Sequence, residues 1–247
     1  MPTMDRAIFN QAAAKILSRE HENHGIGTLG EKTLHAVVKN YVEPEEDFHE
    51  VPLEGYVADI YREGQVFEIQ TANFNTMRAK LETFLPRYHV TIVYPVPATK
   101  WLRWIDEETG EVTDRRKSPK KGTPYEIFKE LYKIKSFLKN PNLSLCILLI
   151  DVEEYRLLNG WSQDRKKGSC RHDRVPLELV EEIHVDCPED YRMFVPPQLE
   201  EFGAREYAKA SKLTVKRAQT ALNILHHLGV VKRTGKEGRR YLYEVVE

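Results

Sequence analysis

The sequence predicts an α/β protein, a mixed sheet flanked by helices, followed by a small basic helical domain. Three observations predict it. Apolar spacing switches repeatedly between helical and strand periods through residues 5–152, the mark of helices interleaved with strands. Residues 143–152 contain Leu-Cys-Ile-Leu-Leu-Ile, a nearly continuous apolar run that reads as a central strand buried on both faces. The composition then shifts: residues 203–247 carry ten Lys and Arg against four acids, a net of +6, while the remainder carries 27 against 34, a net of −7. The overall charge of −1 therefore hides a basic tail.

A chain of 247 residues, 41% hydrophobic and 30% charged, can bury a sizeable core and suits a folded protein of two domains. The expected division is residues 1–187, a linker at 188–202 marked by Pro196-Pro197 and several acids, and residues 203–247. No apolar run approaches a membrane span, and the first eight residues lack a signal-peptide core, so no membrane partner is expected. Three cysteines are an odd number without a disulfide framework, which fits a reducing cytoplasm. A homodimer stays an open oligomeric state.

Residues 5–17 read as a helix with Ile8, Phe9, Ala12, Ile16 and Leu17 on a wide apolar face. The polar loop 19–30 holds His21 and His24, whose spacing supports no metal site. A second helix is expected over 30–38, with Leu34, Val37 and Val38 buried, and a strand over 48–51. Residues 56–70 form a hairpin around the Gly64 turn. Residues 73–85 read as a helix with Phe74, Met77, Leu81 and Phe84 on one stripe, stopped by Pro86. A strand at 89–94 is expected to close at Pro95 and Pro97. Residues 100–105 and 111–114 read as a hairpin. Thr123 caps a helix to Leu138, and residues 175–185 should hold a helix and a strand.

The hairpin at 56–70 carries the chemistry. Alternation puts Val57, Asp59 and Tyr61 on one face of its first strand and Val66, Glu68 and Gln70 on one face of its second. An acid therefore sits in the middle of each apolar strand, where a lone buried carboxylate is costly. Two readings are open: both acids face water across a half-exposed sheet, or they share a divalent cation through their oxygens.

The succession helix, three strands, helix, strand, with Asp59 in mid-strand, Glu68-x-Gln70 one strand later and Glu31 near the first of these helices, resembles the PD-(D/E)XK nuclease superfamily, a restriction-endonuclease-like fold. The resemblance covers residues 25–95. It implies that Asp59 and Glu68 hold Mg²⁺ or Mn²⁺, with the Ile69 carbonyl as a further ligand, and that Glu31 orients a water. It implies metal-dependent hydrolysis of DNA phosphodiesters. Ala58 stands where a proline is common, and Gln70 where a lysine is usual. Gln70 can position water but carries no charge, so a basic residue in the next helix, Arg78 or Lys80, is the substitute. The opposing reading is a nuclease fold that binds DNA without cleaving it.

Three basic stretches could meet DNA. Arg115, Arg116, Lys117, Lys120 and Lys121 put five cations within seven positions, a natural phosphate contact beside the alternative of a solvated loop. Residues 161–174 carry Arg165, Lys166 and Lys167. Cys146 reads as a packing residue, and Cys170, His172, His184 and Cys187 match no strong zinc spacing. The third stretch is the tail, read as a helix at 204–210, a turn, a helix from the Thr214 cap to Leu228, and a hairpin. That order resembles a winged helix-turn-helix domain. The resemblance implies base and groove contacts from Lys216, Arg217, Gln219, Thr220 and Asn223, and backbone contacts from Lys232, Arg233, Lys236, Arg239 and Arg240. Winged helices also dock proteins, and the +6 charge favours DNA.

Overall fold

In the computed structural model, which describes residues 4–22, 32–106, 108–161 and 167–246, the chain opens with two helices. The Asp5 carboxylate accepts the Ala7 and Ile8 N–H groups and so caps α1 (Arg6–Glu22), which buries Phe9, Ala12 and Ile16. Helix α2 (Thr33–Val42) packs Leu34, Val37 and Val38 into the same apolar cluster. A meander follows: β1 (His49–Leu53), β2 (Tyr56–Arg62) and β3 (Gln65–Ile69). Both of its turns, Glu54-Gly55 and Glu63-Gly64, have positive φ at each central residue. That is the two-residue turn whose twist matches antiparallel strands, and glycine adopts it without strain.

Next come α3 (Arg78–Phe84), β4 (His89–Ile105), β5 (Arg116–Lys117), the single turn α4 (Phe128–Leu131), β6 (Leu143–Trp161) and β7 (Lys167–Val185). Among the described residues these seven strands make one sheet, ordered β1-β2-β3-β4-β6-β7 with β5 against β4. β4 runs parallel to β3 and β6, and the other pairings are antiparallel, so the sheet is mixed. β6 is the buried central strand the apolar run implies. Leu145, Ile147 and Leu149 join one core cluster with α3 and α4. Cys146, Leu148 and Ile150 join the other with α1 and α2.

The structure corrects several expectations. β4 does not end at Pro95 and Pro97 but continues beside β6 to Ile105. Its pairing with β3 stops at Val93, whose carbonyl accepts the Gln70 N–H. Pro95 and Pro97 share the parity of Val93, so their missing donors point to the side that β3 has vacated. Residues 111–114 do return against the end of β4, with Val112 bridging Ile105 and the Thr113 N–H on the Trp104 carbonyl, but the strand that pairs with Trp101 and Leu102 is β5, at 116–117. Residues 175–185 belong wholly to β7. Residues 124–137 form a broken series of 3₁₀ and α turns without a Thr123 side-chain cap.

The stretch expected as a linker is built into the core. A 3₁₀ helix at Pro188–Phe194 buries Tyr191 and Phe194, and β8 (Glu201–Phe202) pairs with the last strand. Then come α5 (Ala204–Ala210), α6 (Val215–Leu228), β9 (Val231–Glu237) and β10 (Arg240–Val245). Thr214 caps α6 through the Arg217 N–H, and Gly229 ends it at φ +86°. Phe194, Phe202, Tyr207, Ala218 and Leu225 share one cluster with Phe128, Leu131 and Ile92 of the sheet unit. The C-terminal unit is thus docked on the sheet through a shared core. No helix among the described residues is long and apolar enough to cross a membrane.

Candidate active site

The β2–β3 ladder pairs Arg62 with Gln65, Tyr61 with Val66 and Ile60 with Phe67, and then stops. Asp59 and Glu68 are the next residues on each strand. Where the ladder opens, the Ile69 N–H donates to the Asp59 carboxylate at 2.7 Å instead of to a strand carbonyl. The side chain of Asp59 thereby anchors the mouth of a splayed strand pair. Its same oxygen, Oδ2, lies 3.4 Å from Nε2 of His35 on α2.

Glu68 is 5% exposed. One of its oxygens, Oε2, accepts from Lys80 Nζ of α3 at 2.7 Å, and the other, Oε1, is buried with no hydrogen-bond partner. A buried carboxylate oxygen left unsatisfied is an expensive feature. Arg78 donates to the Lys133 carbonyl and lies over the Phe137 ring, away from the acids, whereas Lys80 reaches Glu68.

The two carboxyls titrate apart. Burial, and then the charge of Asp59, pushes Glu68 up from 4.5 to about 7, against the pull of Lys80. Burial also pushes Asp59 up, but the His35 contact, the Ile69 N–H and Lys80 outweigh it and hold Asp59 below the usual carboxylate range. One acid is thus kept ionised and its neighbour is poised near neutrality.

Other expected residues fare unevenly. Glu31 lies outside the described residues, as do Arg165 and Lys166, and of Lys167 only the backbone, opening β7, is described. Gln70 follows β3 directly, and its amide donates to the Thr76 hydroxyl at 3.4 Å. Arg115 lies over Trp101 and 3.5 Å from Glu153, Lys117 covers the same ring, and Arg116, Lys120 and Lys121 are exposed. Cys170 and His184 stand on one strand fourteen residues apart, about 45 Å of extended chain. The group of Cys170, His172, His184 and Cys187 therefore cannot close on one ion.

On α6, Lys216 and Gln219 are exposed, and Thr220 donates back to the Lys216 carbonyl. Asn223, expected on the open face, instead accepts from Lys135 of the sheet unit at 2.8 Å, and Arg217 lies 3.7 Å from Glu126. In the hairpin, Arg233 and Lys236 stack on Tyr241, Lys232 pairs with Glu244, and Arg239 and Arg240 are exposed. Arg205, Gln219, Arg239, Arg240 and Tyr241 line a cleft of about 240 Å³ between α6 and the hairpin.

His35 is the site residue that sequence reasoning missed. Its signal was a lone imidazole between the apolar positions Leu34 and Ala36 of α2.

The family model for a domain of unknown function, DUF8091, matches residues 32–186, the span from α2 to the end of β7. The chain belongs to this family. An uncharacterized protein of Treponema pallidum (strain Nichols) is 30% identical over 226 residues, 88% of this chain and 86% of that protein. The DUF8091 segment holds the whole Asp59, Glu68, His35 and Lys80 constellation, and the relative's coverage extends past that segment. No solved structure matches the chain.

Proposed function

We propose that this protein is a metal-dependent DNA endonuclease of PD-(D/E)XK type, cutting at the Asp59–Glu68 site and gripping duplex through a C-terminal winged helix. The observation that carries the reading is the unsatisfied Glu68 Oε1, buried beside Asp59 with Lys80 on the opposite oxygen. Two carboxyls and an orphaned oxygen fit a hard divalent cation such as Mg²⁺ or Mn²⁺. Asp59 and Glu68 would hold it, with the Ile69 carbonyl as a third oxygen. When bound, such an ion supplies a Lewis acid that activates water and stabilises charge on phosphate.

The remaining roles belong to the chain's own side chains. His35 positions Asp59 through Oδ2. Lys80 fixes the Glu68 carboxylate so that Oε1 faces inward, and its ammonium supplies the cation that Gln70 lacks. Gln70, tied to Thr76, flanks the site, and Glu31 is assigned the water-orienting role. Lys216, Gln219, Arg239 and Arg240 offer exposed cations and an amide to a duplex, and Arg116, Lys120 and Lys121 extend the basic surface. Three cysteines, an odd number without a disulfide framework, accord with a cytoplasmic location.

A second reading, a DNA-binding protein without catalysis, is favoured by one observation. Gln70 is uncharged and bound to Thr76, and Lys80 is committed to Glu68. A supercoiled-plasmid digest in Mg²⁺ or Mn²⁺, with EDTA as control, separates the two. The nuclease reading expects cleavage by wild type, loss by orders of magnitude in Glu68→Gln with binding retained, and preserved or greater cleavage in Gln70→Lys. Cleavage that survives Glu68→Gln would move the active site elsewhere. Plasmid left intact by wild type in both metals, while binding persists, would install the second reading.

A further inference from the structure

A second constellation lies on the sheet face covered by α1 and α2, away from the Asp59–Glu68 site. Cys146 of β6 and His184 of β7 are direct cross-strand partners, and Glu182 stands two residues before His184 on the same face. The Cys146 sulfur, a Glu182 oxygen and a His184 ring nitrogen all lie within 4.8 Å of one another. Glu182 Oε1 is the hub, 2.7 Å from His184 Nε2 and 3.9 Å from Cys146 Sγ. Its second oxygen accepts from the Tyr41 hydroxyl of α2, which in turn accepts the Asp5 N–H ahead of α1. Ile69, Val93 and Cys146 form one row across three adjacent strands, so the cluster sits about 10 Å from Ile69.

We infer that Cys146, Glu182 and His184 form a binding site for one Zn²⁺ ion on the sheet face beneath the first two helices. Sulfur, imidazole nitrogen and carboxylate oxygen are the three donor types that zinc takes. Three donors within 4.8 Å need only small side-chain movements to reach tetrahedral ligand spacing. The cluster also calls for positive charge. The Glu182 side chain is 3% exposed, and among the described ion pairs its partner is the half-buried His184. Zinc with one thiolate, one carboxylate and a neutral imidazole is formally uncharged, which suits an interior position. Tyr41 supplies the outer hydrogen bond that orients a ligating carboxylate. His184, 31% exposed at its side chain, leaves the fourth position open to water.

Burial, and then Glu182, pushes the Cys146 thiol up, so the metal-free protein keeps the S–H. Zinc binding releases that proton to solvent as the thiolate forms. Sequence spacing misses the set because Cys146 pairs with a strand nearly forty residues away rather than with Cys170 or Cys187.

The test is metal binding by the full chain, stripped with a chelator and titrated with Zn²⁺ against a chromophoric competitor. One equivalent is expected at sub-micromolar affinity. Loading with Co²⁺ should give a thiolate-to-cobalt charge-transfer band. That band should persist in the Cys170→Ser/Cys187→Ser double variant and in Asp59→Ala, and vanish in Cys146→Ser. His184→Gln, at a half-buried position that spares the core, should weaken Zn²⁺ by tenfold or more with an unchanged circular dichroism spectrum. Tyr41→Phe should cost about tenfold. Failure to reload one zinc, a band that survives Cys146→Ser, or full affinity in His184→Gln would each overturn the assignment. None of these readouts depends on DNA cleavage, so the site stands or falls apart from the nuclease reading.

Discussion

Replacing Glu68 with Gln tests the energetics of the candidate active site without any substrate. In the metal-free protein the Glu68 carboxyl is raised from 4.5 to about 7, first by burial and then by Asp59. A group whose folded pKa is raised contributes stability that is fully present below its unfolded pKa and is lost as pH rises through the folded value. Between pH 4.5 and 7 the unfolded chain has released this proton while the folded chain retains it. At 1.36 kcal/mol per unit, the wild type should lose about 3 kcal/mol over that window. The substituted amide carries no titrating proton and still accepts from Lys80, so the variant should lack the loss. The assay is urea denaturation in EDTA, followed by tryptophan fluorescence, across a pH series from 4.5 to 8. Stability of Glu68→Gln relative to wild type should climb by about 3 kcal/mol, whatever constant offset the packing change adds. A saturating hard cation should then recover wild type alone, by about 2.7 kcal/mol at one hundred times its Kd. A difference that stays flat within about 1 kcal/mol across the series would refute the burial of an acid poised near neutrality.

Further outcomes follow from the same geometry. Mg²⁺ or Mn²⁺ should raise the melting temperature of wild type and leave Asp59→Ala unmoved, as scanning calorimetry can read; equal shifts would remove Asp59 from the metal site. The triple variant Lys216→Gln/Arg239→Gln/Arg240→Gln should weaken duplex binding and flatten its salt dependence, the slope of log K against log[salt] falling by up to about 0.9 per lost phosphate contact. An unchanged slope would assign the C-terminal unit to protein docking. Phe194→Ala removes a ring that is 2% exposed and packed against both Phe128 and Tyr125, and should cost about 3 to 5 kcal/mol. Because the core is shared, unfolding should stay a single transition in wild type; two separated transitions would show that the units fold independently.

Much of this molecule was legible locally. The helix, meander, helix and strand order of residues 33–94, the double-faced burial of β6, the Thr214 cap and the Gly229 stop all follow from neighbours a few positions apart. So does the placement of Asp59 and Glu68 on facing strands just past the ladder, since a tight turn at Glu63-Gly64 leaves little choice of register. Breakers misled where context removed their cost. Pro95 and Pro97 looked like strand ends, yet β3 has already departed on the side where their donors are missing. Pro196-Pro197 looked like a linker, yet Tyr191 and Phe194 beside it fill the core.

By itself, then, the sequence determined the α/β class, the acid pair and the basic C-terminal helices, because periodicity, capping and turn chemistry act over one or two turns of chain. Only the tertiary structure decided that Lys80 rather than Arg78 meets Glu68, that Asn223 faces Lys135, and that Cys146 joins Glu182 and His184. Those partners are 12, 88 and 36 residues apart. The pKa of Glu68 belongs with them, since it depends on the shell of Asp59, Lys80 and α3 that folding assembles around one carboxylate.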